Sequence, residues 1–176
     1  MNVLRPFLFG KLPAAGDFVV RGLDALQRDA WDRRCTLALE AAQSRLGTDY
    51  RSKLEATPMR GFVLQPAEPG GIWQAGCVAP SCDRSGRPFL FVLGVFQPDS
   101  FAYPAERLTA RLTPLLHDAI AQRQAPDTVF EAATLSLRAA GQDDAPGAAI
   151  NIVVMRDWCQ DWIGAPTPSK ELRRDE

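Results

Sequence analysis

Histidine is almost missing from this chain: of 176 residues only His117 is one. A lone imidazole cannot complete a zinc set of two cysteines and two histidines. The four cysteines, Cys35, Cys77, Cys82 and Cys159, are scattered and never fall at C-x-x-C spacing. That removes the zinc ribbon and the paired-thiol redox site, and leaves buried, reduced thiols as the expectation. An excess of one charge is missing too, since 20 Lys+Arg stand against 21 Asp+Glu for a formal net charge of −1. No overall field exists to draw in nucleic acid or an anionic membrane. Long apolar runs are absent, and nothing approaches the ~20 residues that cross a bilayer. Residues 1–12 hold one early arginine and a short apolar patch at 6–9. That patch is too short for a signal-peptide core, and no small-residue cleavage site follows it. The expectation is a cytoplasmic protein without direct membrane insertion and without a nucleic-acid partner.

What is present is an ordinary globular composition, 46% hydrophobic and 23% charged. The length suits one domain with a sizeable core. Residues 3–9 predict a first strand, and the glycines and proline of 10–17 then break regularity. Residues 24–46 predict the clearest helix, with Asp24 as N-cap and Gly47 as C-cap. Trp31, Cys35, Ala38, Ala42 and Leu46 share one face of it. Strands are expected at 61–65, 72–79 and 89–96. The short connections between them favour antiparallel neighbours. Residues 89–96 are apolar at every position, which requires cover on both faces and a central place in the sheet. A helix at 104–124 carries Pro114, which should kink or split it. A weaker helix is expected at 128–140, a late strand at 149–155, and an edge strand at 158–163. From 165 the composition turns to Pro, Ser and mixed charge, so 165–176 reads as a disordered tail behind a single domain at 1–164. The fold class is α/β: a layered sandwich whose mixed sheet contains an antiparallel meander.

Two polar segments invite chemistry. Gly10-Lys11-Leu12-Pro13-Ala14-Ala15-Gly16-Asp17 resembles a phosphate loop in outline but lacks the Gly-Lys-Ser/Thr ending that holds magnesium. Leu12 follows Lys11, and Asp17 would repel phosphate. The loop is better read as a strand-to-helix connection in which glycines take unusual backbone angles and Asp17 caps a nearby N–H. Such a loop also suits a docking edge. In 80–87, Ser81 or Cys82 offers a nucleophile with Asp83 as orienter, which gives a hydrolase as the alternative function. Activation needs a base in reach, and only His117, on a distant helix, is available. The competing reading is a salt-bridged turn: Asp83 pairs with Arg84 or Arg87, Ser81 satisfies turn backbone, and Gly86 takes a positive φ. Asp143-Asp144 reads as solvated loop charge. Trp31, Trp73, Trp158 and Trp162 read as packing, with an exposed patch at Trp158 and Trp162 as the alternative.

Two ordered blocks carry a resemblance. Gly10-Lys11-Leu12-Pro13, then Gly16-Asp17-Phe18, then a helix bearing Trp31-Asp32 form the first. Trp73-Gln74-Ala75-Gly76 followed by Pro80-Ser81-Cys82-Asp83-Arg84-Ser85-Gly86-Arg87-Pro88-Phe89 forms the second. Together they resemble the TagF/ImpM family of type VI secretion-associated proteins over roughly residues 5–125. Arg60-Gly61-Phe62 departs from that pattern where a tryptophan is expected, as does Cys82 where a small apolar residue is usual. The resemblance implies an α/β/α sandwich and a cytoplasmic accessory protein that represses type VI secretion after translation. Its implied partner is a forkhead-associated scaffold protein of the apparatus, with no cofactor and no catalytic residue. A third reading is a stoichiometric structural subunit of the apparatus. The motif residues Gly10, Lys11, Pro13, Gly16, Asp17, Phe18, Trp31, Trp73, Ser81, Asp83, Gly86 and Arg87 are expected either to frame the fold or to meet the partner.

Overall fold

The computed structural model describes residues 4–66, 71–97, 105–139, 152–155 and 162–164. Among these residues, six strands form one sheet: β1 Arg5–Gly10, β2 Val19–Arg21, β3 Arg60–Leu64, β4 Trp73–Cys82, β5 Pro88–Gln97 and β6 Ile152–Met155. Their order is β2-β1-β5-β4-β3-β6. Every neighbouring pair is antiparallel except β3 with β6, which run parallel. The sheet is therefore mixed and contains the meander β3-β4-β5.

Two cores lie on opposite faces of it. On one face, helix α1 (Ala25–Leu46) and the short helix α2 (Tyr50–Glu55) bury Trp31, Cys35, Ala42 and Leu54 against Phe7, Phe9 and Phe62. On the other, α3 (Ala105–Ala121) and α4 (Pro126–Ala139) bury Leu108, Leu112, Leu116, Val129 and Ala133 against Leu8, Cys77 and Leu93. Strand β5 feeds both, with Leu90, Val92 and Phe96 on the first face and Phe91, Leu93 and Val95 on the second. A continuous apolar run is what a strand covered on both sides requires. The three layers of an α/β/α sandwich follow.

Several expectations need correction. The 10–17 loop does not lead straight into α1, because β2 intervenes and pairs Leu8 with Arg21 and Gly10 with Val19. A three-residue strand is too short for an alternating pattern to register. After Gly47 the chain does not go directly to a strand. A 3-10 turn (Gly47–Asp49) and α2 come first, and α2 buries Leu54 alone. The 80–88 turn is shorter than its composition suggests, since β4 runs on through Pro80 and Ser81 to Cys82. Pro114 does not split α3, which runs unbroken across it. Leu112 and Leu116 are buried on either side of the proline, and the Thr113 hydroxyl donates to the Thr109 carbonyl at 2.8 Å. Tertiary burial outweighs the local penalty. Trp162 belongs to no strand and no exposed patch. It is 1% exposed, and its indole N–H donates to the Pro58 carbonyl at 3.1 Å. The remainder of the 158–163 strand, the Asp143-Asp144 loop, Trp158, Cys159 and the 165–176 tail lie outside the described residues.

Candidate functional site

The two sequence blocks, some seventy residues apart, meet at one end of the sheet. Gly10 closes β1 with φ +121°, and a Cβ there would stand 2.0 Å from the Leu90 carbonyl oxygen. Only glycine lets the two backbones come this close. The Lys11 N–H then donates to that same carbonyl at 3.1 Å. This turns the Lys11 side chain inward, where its Nζ lies 3.1 Å from Asp83 Oδ2. It also sits 5.3 Å from the Phe18 ring centroid and 6.0 Å from that of Phe89, within cation–π range.

Asp83 is the hub. It is 1% exposed and follows directly on β4. One carboxylate oxygen accepts from the Ser85 N–H at 3.0 Å, the Ser85 hydroxyl at 2.7 Å and the Arg87 N–H at 3.0 Å. The other accepts from Arg87 Nε at 2.6 Å and from Lys11. The Ser85 hydroxyl foremost, with the Arg87 N–H and the Lys11 and Arg87 side chains, holds the carboxyl well below the usual carboxylate range. These donors overcome the desolvation that would raise it. Gly86, at φ +81°, lets the turn close so that the Asp83 N–H donates to the Arg87 carbonyl at 3.1 Å.

The turn is also laced to the first loop through backbone. The Arg84 N–H donates to the Ala15 carbonyl at 2.8 Å, and Arg84 Nη2 to the Ala14 carbonyl at 2.6 Å. Arg87 Nη2 reaches the Gly16 carbonyl at 3.2 Å. Arg84 therefore pairs with carbonyls and not with Asp83, whereas Arg87 makes the expected ion pair. The exposed Asp17 carboxylate caps the Phe18 N–H at 2.8 Å, as the loop reading anticipated. Phe18 stacks edge-on against Phe89 with centroids 4.8 Å apart, yet remains 43% exposed. Pro13 lies in the turn between Lys11 and Ala14.

Other motif residues lie elsewhere. Trp31 is buried in the α1 core, and its indole N–H donates to Gln74 Oε1 at 3.0 Å. Trp73, at the start of β4, packs half-buried on the opposite core. Ser81 does not satisfy turn backbone: among the described residues its buried hydroxyl has no hydrogen-bond partner. Cys82 lines a cavity of about 330 Å³ between α2 and the turn, with Leu54, Pro80 and Pro88 among its apolar walls. His117 lies on the exposed side of α3, its Nδ1 3.3 Å from the carboxylate of Asp118. Burial pushes the Cys35 and Cys77 thiols far up, so neither is a nucleophile. Ser85 and Phe89 were not marked as site residues by the sequence. Their position inside the second block was the only signal, since a hydroxyl folding back on its own turn has no spacing signature.

Comparison with known proteins agrees with this construction. No curated protein sequence matches the chain. Among solved structures, that of PA0076 from Pseudomonas aeruginosa PAO1 is similar, at 27% identity and a TM-score of 0.56. The likeness covers 80% of this chain and 63% of that one, so the chain spans less than two thirds of that protein's length. The family described as the TagF N-terminal domain, type VI secretion system-associated, matches residues 8–139. This match takes in both motif blocks, the end of β1, strands β2 to β5 and helices α1 to α4, and by it the chain belongs to the TagF family of type VI secretion-associated proteins.

Proposed function

We propose that the protein is a non-enzymatic, cytoplasmic regulator that represses type VI secretion by binding a component of the apparatus, with a forkhead-associated scaffold protein as the partner. The observation that carries this reading is how the motif groups are used. Lys11, Asp83, Ser85 and Arg87 spend their charges and hydrogen bonds on one another and so fix two loops against each other. A group poised for reaction needs a base or an acceptor beside it, and the Ser81 hydroxyl has neither among the described residues. What the latch presents instead is a rigid rim with Phe18, Arg84 and Arg87 on its surface. Rigid loops on a packed sheet suit recognition, because little ordering entropy is lost on binding.

The test pairs a purified forkhead-associated scaffold with the purified chain in a pull-down, alongside secretion measured in cells that lack or overproduce the chain. Direct binding, with secretion rising on deletion and falling on overproduction, is the expected result. Secretion unchanged in both strains, or lost on deletion as for a stoichiometric subunit, overturns it. Turnover of ester or phosphoester substrates, abolished by Ser81→Ala or Cys82→Ala, would replace the reading with a hydrolase.

A further inference from the structure

The rim has a charge imbalance that the fold does not resolve. Three cations, Lys11, Arg84 and Arg87, gather there around two carboxylates, Asp83 and Asp17. Asp83 is fully enclosed and shared between Lys11 and Arg87. Asp17 is turned onto the N–H of its own neighbour, Phe18. Arg84 has no carboxylate partner among the described residues. Its guanidinium is held by one bond to the Ala14 carbonyl, which leaves its other donors facing solvent. The Arg87 side chain is 63% exposed although it is pinned at Asp83 and Gly16. Beside them stands Phe18, held edge-on against Phe89 but 43% open to solvent.

Resting on the protein-binding reading above, we propose that this rim is a docking surface for an acidic segment of another protein, one that sets an apolar side chain on Phe18 and carboxylates on Arg84 and Arg87. Arginine and aromatic residues dominate the energetics of interface centres. Here both kinds are pre-ordered by the latch, so binding need not freeze their rotamers. A guanidinium fork with unfilled donors selects planar carboxylates, and bidentate pairing adds geometry to charge. The patch holds only two exposed arginines. A nucleic-acid backbone relies on several phosphate contacts at once, so a peptide fits this footprint better.

The test uses the isotope-labelled chain and amide chemical shifts, with an acetylated and amidated pentapeptide of phenylalanine flanked by two glutamates on each side. A lysine-flanked version and an oligothymidine are the comparison probes. The glutamate peptide is expected to shift amides of residues 14–18 and 84–88, and to bind at least roughly fivefold more weakly at high salt. Arg84→Glu should reverse the preference, losing the glutamate peptide and gaining the lysine one, while its unfolding midpoint confirms a folded chain. Arg84→Gln should lose the first without gaining the second. Equal shifts from the two peptides, shifts confined elsewhere, or tighter binding of oligothymidine overturn the proposal. The same variants in secreting cells separate it from the reading beneath it. Peptide binding as expected with regulation untouched by Arg84→Glu sinks the regulatory role of this rim and spares its chemistry. Regulation lost while the peptide ignores the rim sinks the acidic-segment proposal and spares the regulator.

Discussion

Gly10 and Gly16 look alike in the sequence, both as loop glycines of the first motif, yet physically they are unlike. A Cβ on Gly10 would sit 2.0 Å from a backbone oxygen at φ +121°, whereas one on Gly16 meets nothing within 4 Å. Gly10→Ala should therefore cost at least ~1–3 kcal/mol through strain and forced separation of β1 from β5. Gly16→Ala should stay within about 0.5 kcal/mol. Urea midpoints of the two variants check this, and equal losses would mean that the close approach is not what holds Gly10. Composition displays a glycine but not the carbonyl that faces it, which is why the motif alone could not rank the two. The same holds for Asp83: the second block announced a carboxylate in a salt-bridged turn, but not that five donors enclose it away from solvent. Its depressed folded pKa has a definite consequence. The folded chain binds fewer protons here than the unfolded chain does, so the stabilisation is complete above the ordinary carboxylate value of about 4. It is lost as pH falls below that value and on through the lower folded pKa. Urea unfolding between pH 7 and pH 2 should show the native chain converging on Asp83→Asn in the acid range while exceeding it at neutrality. A constant gap across the series would show that the carboxylate's charge contributes nothing.

Among the elements, α1 was the most legible, because its start is written in local chemistry. Asp24 takes an extended conformation and its carboxylate accepts the Gln27 N–H at 2.8 Å, while Gln27 Oε1 accepts the Asp24 N–H at 3.0 Å. This reciprocal box satisfies two otherwise orphaned donors. Asp24→Ala should cost about 1 kcal/mol, and Gln27→Ala made in that background should cost little more, since half of the box is already gone. Chemical denaturation of the double-mutant cycle reads the coupling, and full additivity would deny the box. The end of β4 and the middle of α3 escape a local reading for one shared reason. Pro80 and Ser81 resemble turn residues and Pro114 a helix breaker, but each sits beside apolar neighbours whose burial sets the backbone. Leu90 pairs with Pro80, and Leu112 and Leu116 flank Pro114. Local propensity is a weak prior where a core is being filled. β2 was hidden for a different reason: with three residues, its existence depends on the edge of β1 and not on its own pattern.

At the scale of the whole molecule, the central strand was readable because burial on both faces leaves a strand with no polar position. The convergence of the two motif blocks was not readable, since it depends on β1 and β5 lying side by side, with Gly10 opposite Phe91. Once they do, the 11–18 loop and the 83–87 turn emerge from adjacent strand ends, and the buried Asp83 carboxylate, with the Arg84 and Arg87 bonds to loop carbonyls, binds them into one body. Two loops so joined should open together. Hydrogen exchange tests this with Lys11→Met, which keeps an apolar stem of similar length but removes the charge that reaches Asp83. Local opening free energies fall where tertiary ties are cut, so amides in both segments should exchange about tenfold faster or more. The amides of β5, whose release requires both cores to part, should keep the rate of global unfolding. Arg84 belongs to the turn and bonds only to the loop, so its own amide is the sharpest reporter. If the 83–87 amides hold while those of 11–18 accelerate, the turn is self-supporting, and the rim is two independent surfaces instead of one.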